Sequence, residues 1–121
     1  MARILIVDDE PDMRALLEET LVGAGYEVVS AVDGRQALKE YRDKAADLVI
    51  MDVFMPNKDG FETIIDLRKD FPDALIIAVT GRPPMAHVLP VAKRLGAVEV
   101  LQKPFEPKDL LATVHRVLKR D

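Results

Sequence analysis

Residues 48–60 read LVIMDVFMPNKDG, an apolar run that ends at one carboxylate and is followed at once by a turn. Residues 48–51 are all apolar, which is typical of a strand buried on both faces, as in a parallel sheet covered by helices on each side. Pro56 and Gly60 indicate a loop directly after Asp52. Because a carboxylate at the end of a dry strand is costly unless it has partners or a function, Asp52 is the first candidate functional residue.

The rest of the chain repeats this alternation of apolar runs and helical patterns. The other runs are 4–7, 28–29, 75–79 and 98–101. Runs 4–7 and 75–79 are apolar throughout, whereas EVVS at 27–30 and VEVL at 98–101 contain polar residues and indicate edge strands. The pattern predicts an α/β fold, a single-domain (βα)5 doubly wound parallel sheet with strand order 2-1-3-4-5.

Apolar residues recur at helical spacing between the runs. Leu16 and Leu17 belong to one such stripe and Ile64 and Ile65 to another, so all four are expected to face the sheet. The fourth helical segment, 81–97, contains three prolines. Since an interior proline lacks an amide donor and breaks a helical turn, we expect this helix to be short and to start near Pro90.

Composition narrows the class of protein. The chain has 121 residues, no cysteine and a net charge of −4. This excludes disulfides and thiolate metal sites, and it argues against nucleic-acid binding by this domain. No apolar run is long enough for a signal peptide or a membrane span, so we expect a cytoplasmic protein without a membrane partner.

Polar residues follow the predicted strands at the end of the sheet where a doubly wound fold binds its ligands. They are Asp8, Asp9, Glu10, Asp52, Thr80, Gly81 and Lys103. Carboxylates so close repel one another, and a hard divalent cation removes that conflict. Mg²⁺ is the expected cofactor, and Mn²⁺ is possible. Carboxylates, a lysine and a hydroxyl around one point suit a phosphoryl group, with Asp52 as its nucleophile and space for a phosphodonor beside Gly81.

Four motifs in this order closely resemble the receiver domains of two-component response regulators. They are VDDE at 7–10, D-x-x-M-P-x-x-D-G at 52–60, VTG at 79–81 and KPF at 103–105. The resemblance covers nearly the whole chain, so residues 1–121 are interpreted as one receiver domain with the flavodoxin-like topology.

The resemblance implies a role for each matching residue. Asp52 corresponds to the phosphoacceptor, and Asp9 to a direct Mg²⁺ ligand, with Asp8 acting partly through water. Asp52 itself and the backbone carbonyl of Phe54 complete the protein ligands. The remaining positions are Thr80 as switch hydroxyl, Lys103 as phosphate-binding lysine and Pro104 as a candidate for a cis peptide bond.

The resemblance also implies a mechanism. A sensor histidine kinase or a phosphotransfer protein donates a phosphoryl group to Asp52, and the domain later hydrolyses it. The domain is thus a switch with its own phosphorylation and dephosphorylation chemistry and not a conventional enzyme. Movement of Thr80 shifts a two-state equilibrium on the face formed by helix 4, strand 5 and helix 5, which a downstream protein or an attached output domain recognises.

One position departs from the family pattern. Val100 stands where such domains usually carry Tyr or Phe, so no ring is present there to move behind Thr80. This departure and the unusual fourth helix favour an alternative, a phosphorylation-independent interaction module on the same scaffold. A flavin binder is disfavoured because Asp8 and Asp9 replace the small-residue anion loop that it needs after strand 1. Another aspartyl phosphatase family is disfavoured because Phe54 occupies the place of its second aspartate.

Overall fold

Five parallel strands form one sheet in the order β2-β1-β3-β4-β5 in the computed structural model, which confirms the predicted topology. The structure describes residues 2–53, 60–81 and 85–119. The strands are β1 (Arg3–Val7), β2 (Glu27–Ala31), β3 (Leu48–Asp52), β4 (Ile76–Thr80) and β5 (Glu99–Gln102). The helices are α1 (Pro11–Gly23), α2 (Gly34–Asp43), α3 (Gly60–Asp70), α4 (Met85–Leu95) and α5 (Pro107–Leu118).

The sheet separates two apolar cores, because successive side chains of a strand point to opposite faces. In β3, Val49 and Met51 pack with α2, α3 and α4, whereas Leu48 and Ile50 pack with α1 and α5. β1 and β4 divide their side chains in the same way. This double burial explains why the central strands are apolar at every position.

Local sequence signals explain where the helices begin and end. Pro11 and Pro107 occupy the first position of α1 and α5, where a missing amide donor is harmless. Asp33 caps α2 by accepting a hydrogen bond from the Gln36 backbone. Gly25 follows α1 with a φ of 97°, a left-handed conformation that favours glycine.

Three expectations about helices were wrong. The helix α4 starts at Met85 and contains Pro90, instead of starting near it. Packing of α4 against α3, β4 and β5, with Ala92 fully buried, outweighs the hydrogen bond that Pro90 cannot donate. Leu16 and Ile65 are 41% and 47% exposed, because each lies at the border of its stripe beside a residue that takes the inward position.

Candidate functional site

The candidate residues meet at the carboxyl end of the sheet, as their positions in the sequence predict. Asp52 and Thr80 are the last residues of β3 and β4. Asp8 follows β1 directly, and Lys103 follows β5 directly. Parallel strands bring these positions together because all of their carboxyl ends lie on the same side.

Four carboxylates form an acidic cluster, defined by Asp8, Asp9, Glu10 and Asp52. One carboxylate oxygen from each lies within 4.8 Å of the others. Asp8 is 2% exposed and Asp52 is 5% exposed, whereas Glu10 is exposed. The cluster is therefore buried on the side of Asp8 and Asp52 and open to solvent on the side of Glu10.

Lys103 neutralises part of this charge. Its Nζ lies 3.0 Å from Asp8 Oδ2, 3.3 Å from Asp52 Oδ2 and 3.4 Å from Glu10 Oε1. Its side chain is only 14% exposed, so these contacts are poorly screened by water. One ammonium group thus faces four carboxylates, which leaves the site strongly negative.

The acidic cluster controls the protonation of Lys103. Burial alone would lower the pKa of Lys103, but the hydrogen bond to Asp8 and the charges of Asp52 and Asp8 outweigh it. The pKa of Lys103 is therefore raised above its ordinary value. The lysine is charged at neutral pH and available to bind anionic oxygens.

Asp8 is held at four points. Its backbone N–H donates to the Ala31 carbonyl at 3.1 Å, and its Oδ1 accepts from the Glu10 N–H at 2.9 Å. Its Oδ2 contacts Lys103, and its carbonyl oxygen accepts from Arg14 Nη1 at 2.8 Å. Arg14 is not among the residues predicted from the sequence, because its hydrogen bond spans the segment between β1 and α1 and leaves no pattern there.

Thr80 and Gly81 shape the other side of the site. Thr80 is fully buried, and its carbonyl accepts a hydrogen bond from the Lys103 N–H at 2.7 Å. A side chain at position 81 would come within 3.3 Å of Lys103 Cβ, so the lysine stem lies directly over Gly81. The peptide bond between Lys103 and Pro104 is cis.

Two other expectations concern residues around the site. Val100 is partly buried and packs against the core beneath α2, α3 and α4. It lies opposite Ala78 in β4, two residues before Thr80. Phe54, whose carbonyl is the expected third protein ligand for the metal, lies outside the described residues.

The donor set fits a hard divalent cation. Every potential ligand in the acidic cluster is a carboxylate oxygen, without nitrogen or sulfur. Mg²⁺ takes one or two carboxylates together with water and phosphate oxygens. The excess negative charge would be offset by such an ion, and the adjacent lysine and threonine would remain for the oxygens of a phosphoryl group.

Comparison with known proteins identifies the family. The model of the response regulator receiver domain matches residues 4–115. The chain belongs to this family. Receiver domains are phosphoacceptor switches of two-component systems, and they bind Mg²⁺ in an acidic pocket.

Similar proteins include both short and long relatives. The chemotaxis protein CheY of Thermotoga maritima is 36% identical over 118 residues, which cover 97% of this chain and 98% of that protein. The probable transcriptional regulator ycf27 of Guillardia theta is 41% identical over 118 residues, which cover 98% of this chain and 46% of that protein. This receiver domain thus spans about half the length of the transcriptional regulators that it matches.

A solved structure of the family agrees closely with this fold. The response regulator protein TrrA of Thermotoga maritima, in complex with Mg²⁺ and BeF, is 38% identical with a TM-score of 0.87. The alignment covers 97% of this chain and 99% of that protein. In the described part of this receiver domain, none of the helices combines the length and apolar character that a membrane crossing needs.

Proposed function

We propose that Asp52 is the phosphoacceptor of this receiver domain and that Mg²⁺ bound in the acidic cluster assists the transfer. The observation that carries the proposal is the position of Asp52. It is a buried carboxylate at the end of a central strand, and its Oδ2 lies 3.3 Å from Lys103 Nζ. A phosphoryl group on Asp52 would therefore form beside a cation.

The other acidic residues are less suited to accept the phosphoryl group. Asp8 also contacts Lys103 Nζ, but it follows β1, which is not a neighbour of β4 and its terminal Thr80. Glu10 is exposed and lies on the open side of the cluster. Asp52 pairs with Val79 in β4, which places the buried Thr80 next along the neighbouring strand. A lysine and a hydroxyl thus flank Asp52, as stabilisation of a transferring phosphoryl group requires.

The acidic cluster and the family resemblance support a set of metal ligands. Asp9 and Asp52 would bind Mg²⁺ directly, Asp8 would act partly through water, and the Phe54 carbonyl would complete the set. Mn²⁺ would be accepted as well, since it prefers the same oxygen ligands. When bound, the cation offsets negative charge on the phosphoryl oxygens as they approach the carboxylates.

The transfer is a displacement at phosphorus. A carboxylate oxygen of Asp52 attacks the phosphorus of a phosphohistidine, and the bond from phosphorus to the histidine nitrogen breaks. The nitrogen keeps the electron pair, and a mixed anhydride forms on Asp52. Attack by water on this phosphorus later releases inorganic phosphate and restores the Asp52 carboxylate. Lys103 holds the phosphoryl oxygens in both steps.

Signal output would pass through Thr80. Movement of its hydroxyl toward the phosphoryl group would shift the loop after β4 and the face formed by α4, β5 and α5. Because Val100 has no aromatic ring, this coupling depends on the loop alone. The donor would be a sensor histidine kinase or a phosphotransfer protein in the cytoplasm. The receiver of the signal would be a downstream protein or an output domain attached to residues 1–121.

Val100 also supports a second candidate, an interaction module that works without phosphorylation. Val100 packs against the core and has no aromatic ring. The α4–β5–α5 face therefore lacks the ring that usually links this face to Thr80. The two candidates differ in one respect that is simple to measure. In the second, a phosphoryl group on Asp52 would leave the backbone amide signals of α5 unchanged.

Labelling with acetyl [³²P]phosphate and Mg²⁺ tests the proposal. Asp52→Asn keeps the size of the side chain but removes the nucleophilic oxygen, so we expect it to abolish labelling. Asp73→Asn, which changes an exposed aspartate between α3 and β4, is the matched control and should label like the wild type. Equal labelling of Asp52→Asn and the wild type would refute the assignment.

A further inference from the structure

Gly60, the first residue of α3, lies against the backbone that carries Asp52. A Cβ atom at position 60 would come within 2.3 Å of Val53 Cα and 2.5 Å of the Asp52 carbonyl oxygen. These distances are far shorter than van der Waals contact, and the atoms belong to the main chain. They cannot rotate away as the end of a long side chain can, so any larger residue must displace either α3 or the Asp52–Val53 segment.

The strand end has little freedom to yield. The Val53 N–H donates to the Val79 carbonyl at 3.0 Å, and the Val53 carbonyl accepts from the Gly60 N–H at 3.1 Å. Val53 itself is fully buried. The chain after Asp52 is therefore fixed between β4 on one side and the start of α3 on the other.

Gly23 and Gly96 do not face this constraint. A Cβ at Gly23 would meet nothing within 4 Å. A Cβ at Gly96 would meet the flexible side chain of Arg68 at 2.9 Å, not main-chain atoms. The close approach at Gly60 is thus a local feature of the phosphoacceptor strand and not a general property of glycine in this fold.

We propose that Gly60 is a positioning residue for the phosphoacceptor. The absence of a side chain lets α3 begin directly against the Asp52–Val53 backbone, and this contact fixes where Asp52 points. The inference rests on the proposed function of Asp52. It predicts that Gly60→Ala moves the Asp52 carboxylate relative to Asp8, Asp9 and Lys103, and so weakens metal binding as well as phosphoryl transfer.

Isothermal titration calorimetry with Mg²⁺ tests this inference independently of phosphorylation. We expect Gly60→Ala to bind Mg²⁺ about tenfold to a hundredfold more weakly than the wild type, the range found when groups that orient metal ligands are changed. Gly23→Ala is the matched control and should bind like the wild type. Labelling by acetyl phosphate should fall in Gly60→Ala and remain unchanged in Gly23→Ala.

A second control separates positioning from general loss of stability. Val117→Ala opens a cavity in the α1–α5 core, at the end of α5 that is remote from the site, and lowers stability without touching Asp52. It should retain wild-type Mg²⁺ affinity at a temperature where the protein is folded. Wild-type affinity in folded Gly60→Ala, or an equal loss of affinity in Val117→Ala, would overturn the inference.

A measurement on the wild type applies even if Gly60→Ala does not fold. The Gly60 N–H bonds the residue after Asp52, so its amide resonance should shift when Mg²⁺ is added, whereas that of Gly23 should not. An unchanged Gly60 resonance under saturating Mg²⁺ would contradict the inference. If the wild type binds no Mg²⁺ at all, the proposed function fails first. Binding by the wild type with no effect of Gly60→Ala refutes the inference alone.

Discussion

The two ends of the sheet both hold a basic side chain among carboxylates, but their charges are balanced differently. At the carboxyl end, Lys103 contacts three carboxylates and faces a cluster of four. At the amino end, Arg3 Nη1 bonds Glu27 Oε2 at 2.9 Å, and Asp47 accepts from the Arg3 backbone N–H. Lys44 adds a second cation 3.8 Å from Glu27.

Burial separates the two ends as clearly as charge does. Lys103 and Arg3 are similarly buried, at 14% and 17% exposure, but their partners differ. Asp8 and Asp52 are buried, whereas the side chains of Glu27 and Lys44 are 46% and 66% exposed. An exposed and balanced group of charges is typical of a solvated surface and contributes little to stability. A buried and unbalanced one is typical of a functional site. The difference indicates which end of the sheet carries function, even though both contain ion pairs.

The largest expected effect is the loss of stability on replacing Lys103. In the absence of metal, Lys103→Met leaves the buried carboxylates without a counter-charge and should lower the free energy of unfolding by about 3 kcal/mol. Urea unfolding in EDTA measures this change, and added Mg²⁺ should reduce it. Lys44→Met at the amino end should stay within about 0.5 kcal/mol of the wild type. Equal effects of the two substitutions would remove the distinction between the ends.

A change in metal affinity comes next. Asp8→Asn removes a charge from the acidic cluster and should weaken Mg²⁺ binding about tenfold or more, which corresponds to about 1.4 kcal/mol. Without metal, the same substitution should stabilise the fold because it relieves repulsion between carboxylates. Asp47→Asn is the matched control at the amino end, and calorimetry should find its Mg²⁺ affinity unchanged. Similar losses in both variants would show that net charge, not site geometry, governs binding.

The two ends should also respond to opposite extremes of pH. The pKa of Lys103 is raised above 10.5, so its stabilising contribution is complete below that pH and disappears as pH rises through the raised pKa. The pKa of Glu27 is lowered below 4.5, first by the hydrogen bond from Arg3 and then by the charge of Lys44. Its contribution is complete above 4.5 and disappears as pH falls through the lowered pKa.

Unfolding of variants across the pH range measures this prediction. The stability difference between wild type and Lys103→Met should shrink in alkali, and that between wild type and Glu27→Gln should shrink in acid. Differences that stay constant at both extremes would contradict the assignment of these pKa shifts.

Arg3→Met should have the smallest effect. The Arg3 side chain is 17% exposed, but its partner Glu27 is 46% exposed and also close to Lys44, so loss of the pair should cost less than about 1 kcal/mol. Arg3 Nε is buried and has no hydrogen-bond partner in the described part of the chain, which further limits the net benefit of this arginine. Thermal unfolding measures the change, and phosphoryl labelling should not respond to it. A loss comparable to that of Lys103→Met would show that the amino end is not merely a solvated surface.

The central strands and the acidic cluster are predictable from the sequence because one strong physical signal determines each of them. Continuous apolar runs predict the central strands, because a strand that is covered by helices on both faces is apolar at nearly every position. The acidic cluster followed from the fold, because Asp8 and Asp52 come directly after strands whose carboxyl ends must lie side by side. The fold topology and the sequence motifs thus indicate the same few residues.

Two kinds of feature are not predictable from the sequence. In one kind two influences compete, and in the other a contact is purely spatial. The helix α4 begins at Met85 because packing outweighs the effect of Pro90. Helical periodicity predicts which residues form an apolar stripe but not which of them lie at its border, where Leu16 is exposed. The contribution of Arg14 depends on a hydrogen bond across a loop, and that of Gly60 on the absence of an atom. Neither leaves a periodic trace in the sequence.

The separation of the two cores by the sheet has a consequence for divergence among related chains. Val100 packs into the core beneath α2, α3 and α4, and its neighbour Leu101 packs into the core of α1 and α5. Substitutions that lie far apart in the two cores should change stability almost additively. A substitution that adapts α4 to a new partner therefore acts on one core, and a substitution that adapts α5 acts on the other. Neither kind of substitution needs to change the acidic cluster or Lys103 at the ends of the strands.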